Sequence, residues 1–184
     1  AVLRGLNALY GFPLSEDALL AAGRSLGADV PFCLRGGTRL CEGIGDEMTE
    51  IETGCRLELV VAKAGEGVST PEMYALYDAA PTNFHPDAET MAAALRRGDT
   101  AAVAAAAGNV FEPLCIERRP MVAALRERLE ALGALRACMS GSGPAVFGIF
   151  PDSARARKAA ETLREQGIFA AYCRSSPCGQ ETEG

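Results

Sequence analysis

Apolar residues fall at Val2, Leu3, Leu6, Leu9 and Tyr10, a spacing that lays one stripe along a helix, with Gly11 as its stop. No Ser, Thr, Asp or Asn stands ahead of Ala1 to cap it, so the chain is expected to enter a helix already under way, as if truncated. A second helix is expected over Ser15 to Leu26. There Ser15 can cap the first turn, and Glu16 and Asp17 suit the positive end of the helix dipole. The segments "GTRLCEG" (37–43) and "EMTEIE" (47–52) read as short strands, and the β-branched and leucine-rich centre of "CRLELVVAKAG" places a buried strand over 56–63.

Helices follow over about 70–78, 87–97 with Gly98 as stop, and 99–107 with Gly108 as stop. A longer one runs from about 119 to 132, with Val122, Leu125, Leu129 and Leu132 apolar, Pro120 near its start and Gly133 at its end. The remainder reads strand ("LRACM"), glycine turn ("SGSG"), strand ("PAVFGIF"), helix ("SARARKAAETLREQG") and strand ("IFAAYC"). This mixture predicts an α+β sandwich, an antiparallel sheet with helices on one face. A boundary near Gly54 divides an incomplete first domain (1–54) from a complete second one (55–175), and "SPCGQETEG" (176–184) is expected to be a disordered tail.

Composition narrows the function classes. At 184 residues and 48% hydrophobic the chain can build one good core or two small ones. Eighteen basic against twenty-four acidic side chains give a net charge of -6, and the basic residues cluster no further than doublets such as Arg96-Arg97. That argues against a nucleic-acid footprint, although a single nucleotide can bind through backbone amides. No apolar run approaches the ~20 residues of a membrane span, and no signal segment opens the chain, so a cytoplasmic protein is expected. The seven cysteines are odd in number and lack any C-x-x-C pair, which favours buried free thiols over a disulfide framework. The single histidine, His85, lies in the loop-like "PTNFHPD" and is expected at the surface.

Three segments carry candidate chemistry. In "MSGSGPAVFG" (139–148) two glycines alternate with two serines between strands, so Ser140 to Gly143 form either an ordinary hairpin turn or a cradle of N–H and hydroxyl donors for phosphate oxygens. It is neither a P-loop nor a dinucleotide fingerprint, because no lysine follows and a strand comes next. Asp29 in "GADVPF" is either a helix cap or a carboxylate that orients a hydroxyl and accepts its proton. "GVSTPEMY" (67–74) offers the Ser69 and Thr70 hydroxyls, Pro71 to open a helix, and Tyr74 one turn on. That ring either stacks on a base or packs half-buried.

Together and in this order, these segments resemble the GHMP small-molecule kinase superfamily. The piece "LGADVPFCLRGGTRLCEGIGDEM" (26–48) resembles its branch acting on a cytidine diphosphate derivative of methylerythritol in non-mevalonate isoprenoid synthesis. "NVFEPL" (109–114) fits the same pattern, though Val110 stands where the family more often has an acid. The resemblance covers about residues 1–174. It implies a GHMP kinase-like fold, ATP as phosphate donor with Mg2+, Asp29 as the catalytic acid-base residue, and Thr70, Pro71 and Tyr74 at the cytidine substrate. It also implies that Ser140, Gly141, Ser142 and Gly143 form the glycine loop closing the site. No metal-ligating residue is assigned, and the charge and hydropathy above leave no nucleic-acid and no membrane partner expected. The family's catalytic lysine and its Gly-rich ATP loop have no counterpart in this sequence, so the chain alone is expected to be inactive. Another GHMP kinase, of the homoserine or mevalonate type, and a non-catalytic binding module are the alternatives.

Overall fold

The computed structural model describes residues 1–63, 65, 67 and 69–175; the expected tail at 176–184 lies outside the described residues. Its contacts divide it into two compact units, Ala1–Thr53 and Gly54–Ser175.

The first unit contains α1 (Val2–Leu9), α2 (Glu16–Leu26), α3 (Val30–Arg35) and an antiparallel hairpin of β1 (Arg39–Glu42) and β2 (Glu47–Glu50). Ser15 caps α2 by accepting from the Ala18 N–H at 3.3 Å. Leu19, Leu20 and Leu34 form a small core, against which Leu3 and Val30 pack. The expected α1 is present and carries no side-chain cap, yet Val2, Leu6, Leu9 and Tyr10 of its apolar stripe are exposed. The position it buries instead is Asn7, whose amide donates to Leu14 O and accepts from Leu14 N, both at 3.0 Å. Those two bonds satisfy a backbone pair, and they set which side of α1 faces inward.

The second unit opens on β3 (Glu58–Lys63), followed by α4 (Thr70–Ala79), α5 (Ala88–Arg97), α6 (Thr100–Ala106), α7 (Glu112–Arg118) and α8 (Pro120–Ala131). It closes with β4 (Arg136–Met139), β5 (Ala145–Phe150), α9 (Ser153–Glu165) and β6 (Phe169–Arg174). Asp87, Asp99 and Asp152 cap α5, α6 and α9 through their carboxylates. The four strands form one sheet in the order β4-β5-β3-β6, every neighbouring pair antiparallel. Side chains alternate across it. Val60, Ala62, Val146 and Phe150 meet the apolar faces of α8 and α9, the expected helical layer, with Met73 of α4 and Leu114 of α7 in the same cluster. Leu59, Phe147 and Ile149 point the other way, onto Ala94 of α5 and Val103 and Ala104 of α6. Helices therefore reach both faces of the sheet, the α5–α6 pair adding to the layer that the pattern anticipated.

All six described cysteines are free thiols, but only Cys115 and Cys138 are buried. Cys33 and Cys41 are exposed, because α3 and the β1–β2 hairpin belong to the thinly cored first unit. Burial foremost, with the nearby Glu112 charge second, pushes the Cys138 thiol up to about 12. The unfolded chain ionises this thiol at its ordinary value near 9.0, so above that pH the folded state holds the extra proton and stability falls as pH rises toward 12. Unfolding free energies from urea titrations should drop faster for the wild type than for Cys138→Ala between pH 9 and 11, by up to about 1.4 kcal/mol per pH unit. Parallel slopes would rule the effect out.

Candidate active site

The turn from Ser140 to Gly143 joins β4 to β5. Ser140 N donates to Ala145 O at 2.8 Å and Gly143 N to Ser140 O at 3.0 Å, so both ends are closed by the turn itself. The N–H groups of Gly141 and Ser142, between them, have no acceptor among the described residues. Ser140 and Gly141 are exposed, and Ser142 and Gly143 are partly so. The segment is thus a hairpin turn and, at the same time, a pair of consecutive donors open to an anion.

Its two glycines answer different needs. Gly141 has φ 56° with nothing within 4 Å of where a Cβ would sit, whereas at Gly143 (φ 81°) a Cβ would lie 2.5 Å from Met139 Sδ and 3.3 Å from Cys115 Sγ. Gly141→Ala should therefore cost only the left-handed backbone, about 1–2 kcal/mol. Gly143→Ala adds overpacking against a buried Met139, for a further 1–3 kcal/mol or so. Urea titrations of the two variants check the order, and equal losses would contradict the packing at Gly143.

Helix α4 begins beside this turn. Pro71 sits in its first turn, where a missing N–H costs nothing, and the Thr70 and Ser142 hydroxyls lie 2.9 Å apart in a hydrogen bond that spans 72 positions of sequence. Tyr74, one turn along the same face, is 56% exposed and meets the Phe111 ring edge-on at 5.0 Å, with Tyr77 on that ring at 5.7 Å. Phe111 fixes the tilt of Tyr74 while leaving much of its surface open to a flat ligand. Thr70 is thereby brought to the glycine turn, with Tyr74 one turn further along its helix.

The segment "NVFEPL", noted in the sequence only for its likeness to the family, holds these pieces through side chains whose role the pattern did not show. Asn109 Nδ2 donates to Met139 O (2.9 Å) and Gly141 O (2.8 Å), while its Oδ1 accepts from Phe111 N (2.8 Å). Buried Glu112 accepts from Met139 N at 2.7 Å and from Arg126 Nη1 at 2.6 Å. The sequence signal for Asn109 was a turn-forming Asn just ahead of a helix with Pro in its first turn. Its partners, 30 and 32 positions on, left no trace in the pattern.

Asp29 lies in the first unit, at the position preceding α3. Its carboxylate makes no capping bond, and its main-chain oxygen accepts from Cys33 N at 3.1 Å. The side chain is exposed and has no hydrogen-bond partner among the described residues, so capping does not account for it. His85 is exposed, as expected. Among the described residues no three His, Cys, Asp or Glu side chains gather as a metal site, and no helix is long and apolar enough to cross a membrane.

Residues 91–168 match the family described as GHMP kinases C terminal. Over 168 residues the chain is 44% identical to a Moorella thermoacetica protein named 4-diphosphocytidyl-2-C-methyl-D-erythritol kinase, an alignment covering 90% of this chain and 59% of that one. A Caldicellulosiruptor saccharolyticus protein of the same name is 40% identical over 164 residues, 89% of this chain and 57% of its own length. A crystal structure described as 4-(cytidine 5'-diphospho)-2C-methyl-D-erythritol kinase superimposes with a TM-score of 0.79 at 34% identity, over 98% of this chain and 63% of that one. The chain thus spans about three fifths of the length of the relatives it matches.

Proposed function

From a chain that carries the C-terminal domain of the GHMP kinases over residues 91–168, we propose a part in ATP-dependent phosphorylation of the 2-hydroxyl of 4-diphosphocytidyl-2-C-methyl-D-erythritol, a step toward isoprenoid precursors. The observation that carries it is the 40–44% identity, across nine tenths of the chain, to relatives named for that reaction. The geometry supports it. Phosphoryl transfer needs positioning and charge stabilisation more than covalent chemistry from the protein, and the Gly141 and Ser142 N–H groups, without an acceptor among the described residues, supply donors of that kind. In this reading Asp29 orients the attacking hydroxyl and takes its proton. Tyr74 stacks on the cytosine, and Thr70 and Pro71 line the substrate beside it. The turn from Ser140 to Gly143 closes over the phosphates.

ATP would be the phosphate donor, with Mg2+ bound to its phosphate oxygens. The free thiols fit a reducing compartment such as the cytoplasm.

The test is γ-phosphate transfer from ATP to the cytidine substrate, by the chain alone and by the chain joined to the share of the Moorella relative that it does not match. Transfer to the cytidine substrate in preference to homoserine or mevalonate supports the reading. Preference for one of those alcohols overturns the substrate, and a folded joined protein with no transfer overturns the kinase itself.

A further inference from the structure

Strand β4 lies at the edge of its sheet, and side chains take the place of a neighbouring strand. Its N–H groups at Ala137 and Met139 donate to Glu130 Oε1 (3.2 Å) and Glu112 Oε2 (2.7 Å), and the Met139 carbonyl accepts from Asn109. Arg126 holds the Glu112 carboxylate in turn. The last residue of the strand is therefore gripped through both its N–H and its C=O, just before the glycine turn begins.

The Asn109 amide reaches two peptide units further, to Gly141 O at 2.8 Å. In a planar trans peptide the carbonyl of one residue and the N–H of the next point in opposite directions. Drawing the Gly141 carbonyl onto Asn109 therefore turns the Ser142 N–H away from the protein, where no described residue accepts it. The Ser140 carbonyl is likewise held, by Gly143 N, which directs the Gly141 N–H outward. Oδ1 of Asn109 anchors the side chain itself on Phe111 N, so the amide cannot swing aside without losing three hydrogen bonds.

We propose that Asn109 is a positioning residue, which aims the Ser142 N–H at a phosphate group of a ligand bound over the turn. It acts through the backbone and touches no ligand. The inference rests on the kinase reading for the nature of the ligand, and on the hydrogen bonds above for the role of Asn109.

The test uses the full chain, isotopically labelled, with inorganic pyrophosphate as probe. Two variants are compared with wild type. Asn109→Ala removes all three bonds without adding charge, and Asn109→Asp keeps the acceptor for Phe111 N while losing both donations. The Ser142 N–H orientation, read without ligand from residual dipolar couplings, should change in both variants while the couplings of β5 stay put. In wild type the Gly141 and Ser142 amide resonances should shift on adding pyrophosphate, and Asn109→Ala should raise its Kd at least about tenfold, roughly the value of one hydrogen bond to a charged group. If Asn109→Ala does not fold, the couplings in Asn109→Asp decide. Unchanged Ser142 couplings, or an unchanged Kd in a folded Asn109→Ala, overturn the proposal, as do wild-type amides indifferent to pyrophosphate. An anion response that depends on Asn109, in a protein that transfers no phosphate, upholds it and removes only the kinase reading.

Discussion

Asp29→Asn is expected to lower transfer to the cytidine substrate by about 10³-fold, within the 10²–10⁴ range of a positioned general base, while leaving the stability of the chain within about 0.5 kcal/mol. The two expectations separate because the carboxylate is exposed and makes no capping bond, so the isosteric amide deprives the fold of nothing. The amide can still hydrogen-bond a hydroxyl, but it cannot take its proton. The loss should therefore fall on kcat and spare KM. Rates measured in whichever form of the protein transfers phosphate, together with urea midpoints, check both halves. A kcat within tenfold of wild type would remove Asp29 from the chemistry, and a matching fall in stability would return it to a structural role. A protein that only binds the substrate, without catalysis, would show neither change.

What the sequence disclosed about the fold was what local rules encode. Helix α2 with Ser15 at its cap, the strand around Val60, and the helix from Pro120 rest on periodicity and capping, and the structure places them where the pattern did. Helices α3 and α7 escaped notice because they span only six and seven residues and each carries a proline in its first turn, which reads as an interruption when no longer apolar period surrounds it. The second helical layer had a signal that the one-face reading did not use. Leu59 and Val61 are apolar as well as Val60 and Ala62, and a strand apolar on both sides asks for cover on both.

The candidate site divides the same way. Residues such as Thr70 and Ser142 were legible because each sits in a recognisable segment, but the bond between their hydroxyls joins positions 72 apart and depends on the sheet bringing β4, β5 and the start of α4 to one end. Asn109 makes three hydrogen bonds at the site, and its segment was legible only as a family likeness. A side chain that bonds backbone atoms leaves its partners free to be any residue type, so nothing at Met139 or Gly141 marks them as partners.

Phe150→Ala should cost about 4 kcal/mol, a large part of the 5–15 kcal/mol that holds a typical domain together. Phe150 ends β5, which is hydrogen-bonded to strands on both sides, and its ring is fully buried in the cluster that also contains Val60, Leu129, Leu163 and Met139. Neither flanking strand can move in to fill the space without breaking its ladder, so most of the cavity should persist. Phe169, 67% exposed on the edge strand β6, provides the control, and Phe169→Ala should cost no more than about 0.5 kcal/mol. Urea midpoints at unchanged m give both values. A Phe150→Ala loss below about 1.5 kcal/mol would mean that the core closes over the gap. The cluster also joins the core to the site, since Met73 follows Thr70 on α4 and Met139 leads into the glycine turn. Space opened at Phe150 should loosen both, so the variant that remains folded should also bind phosphate more weakly.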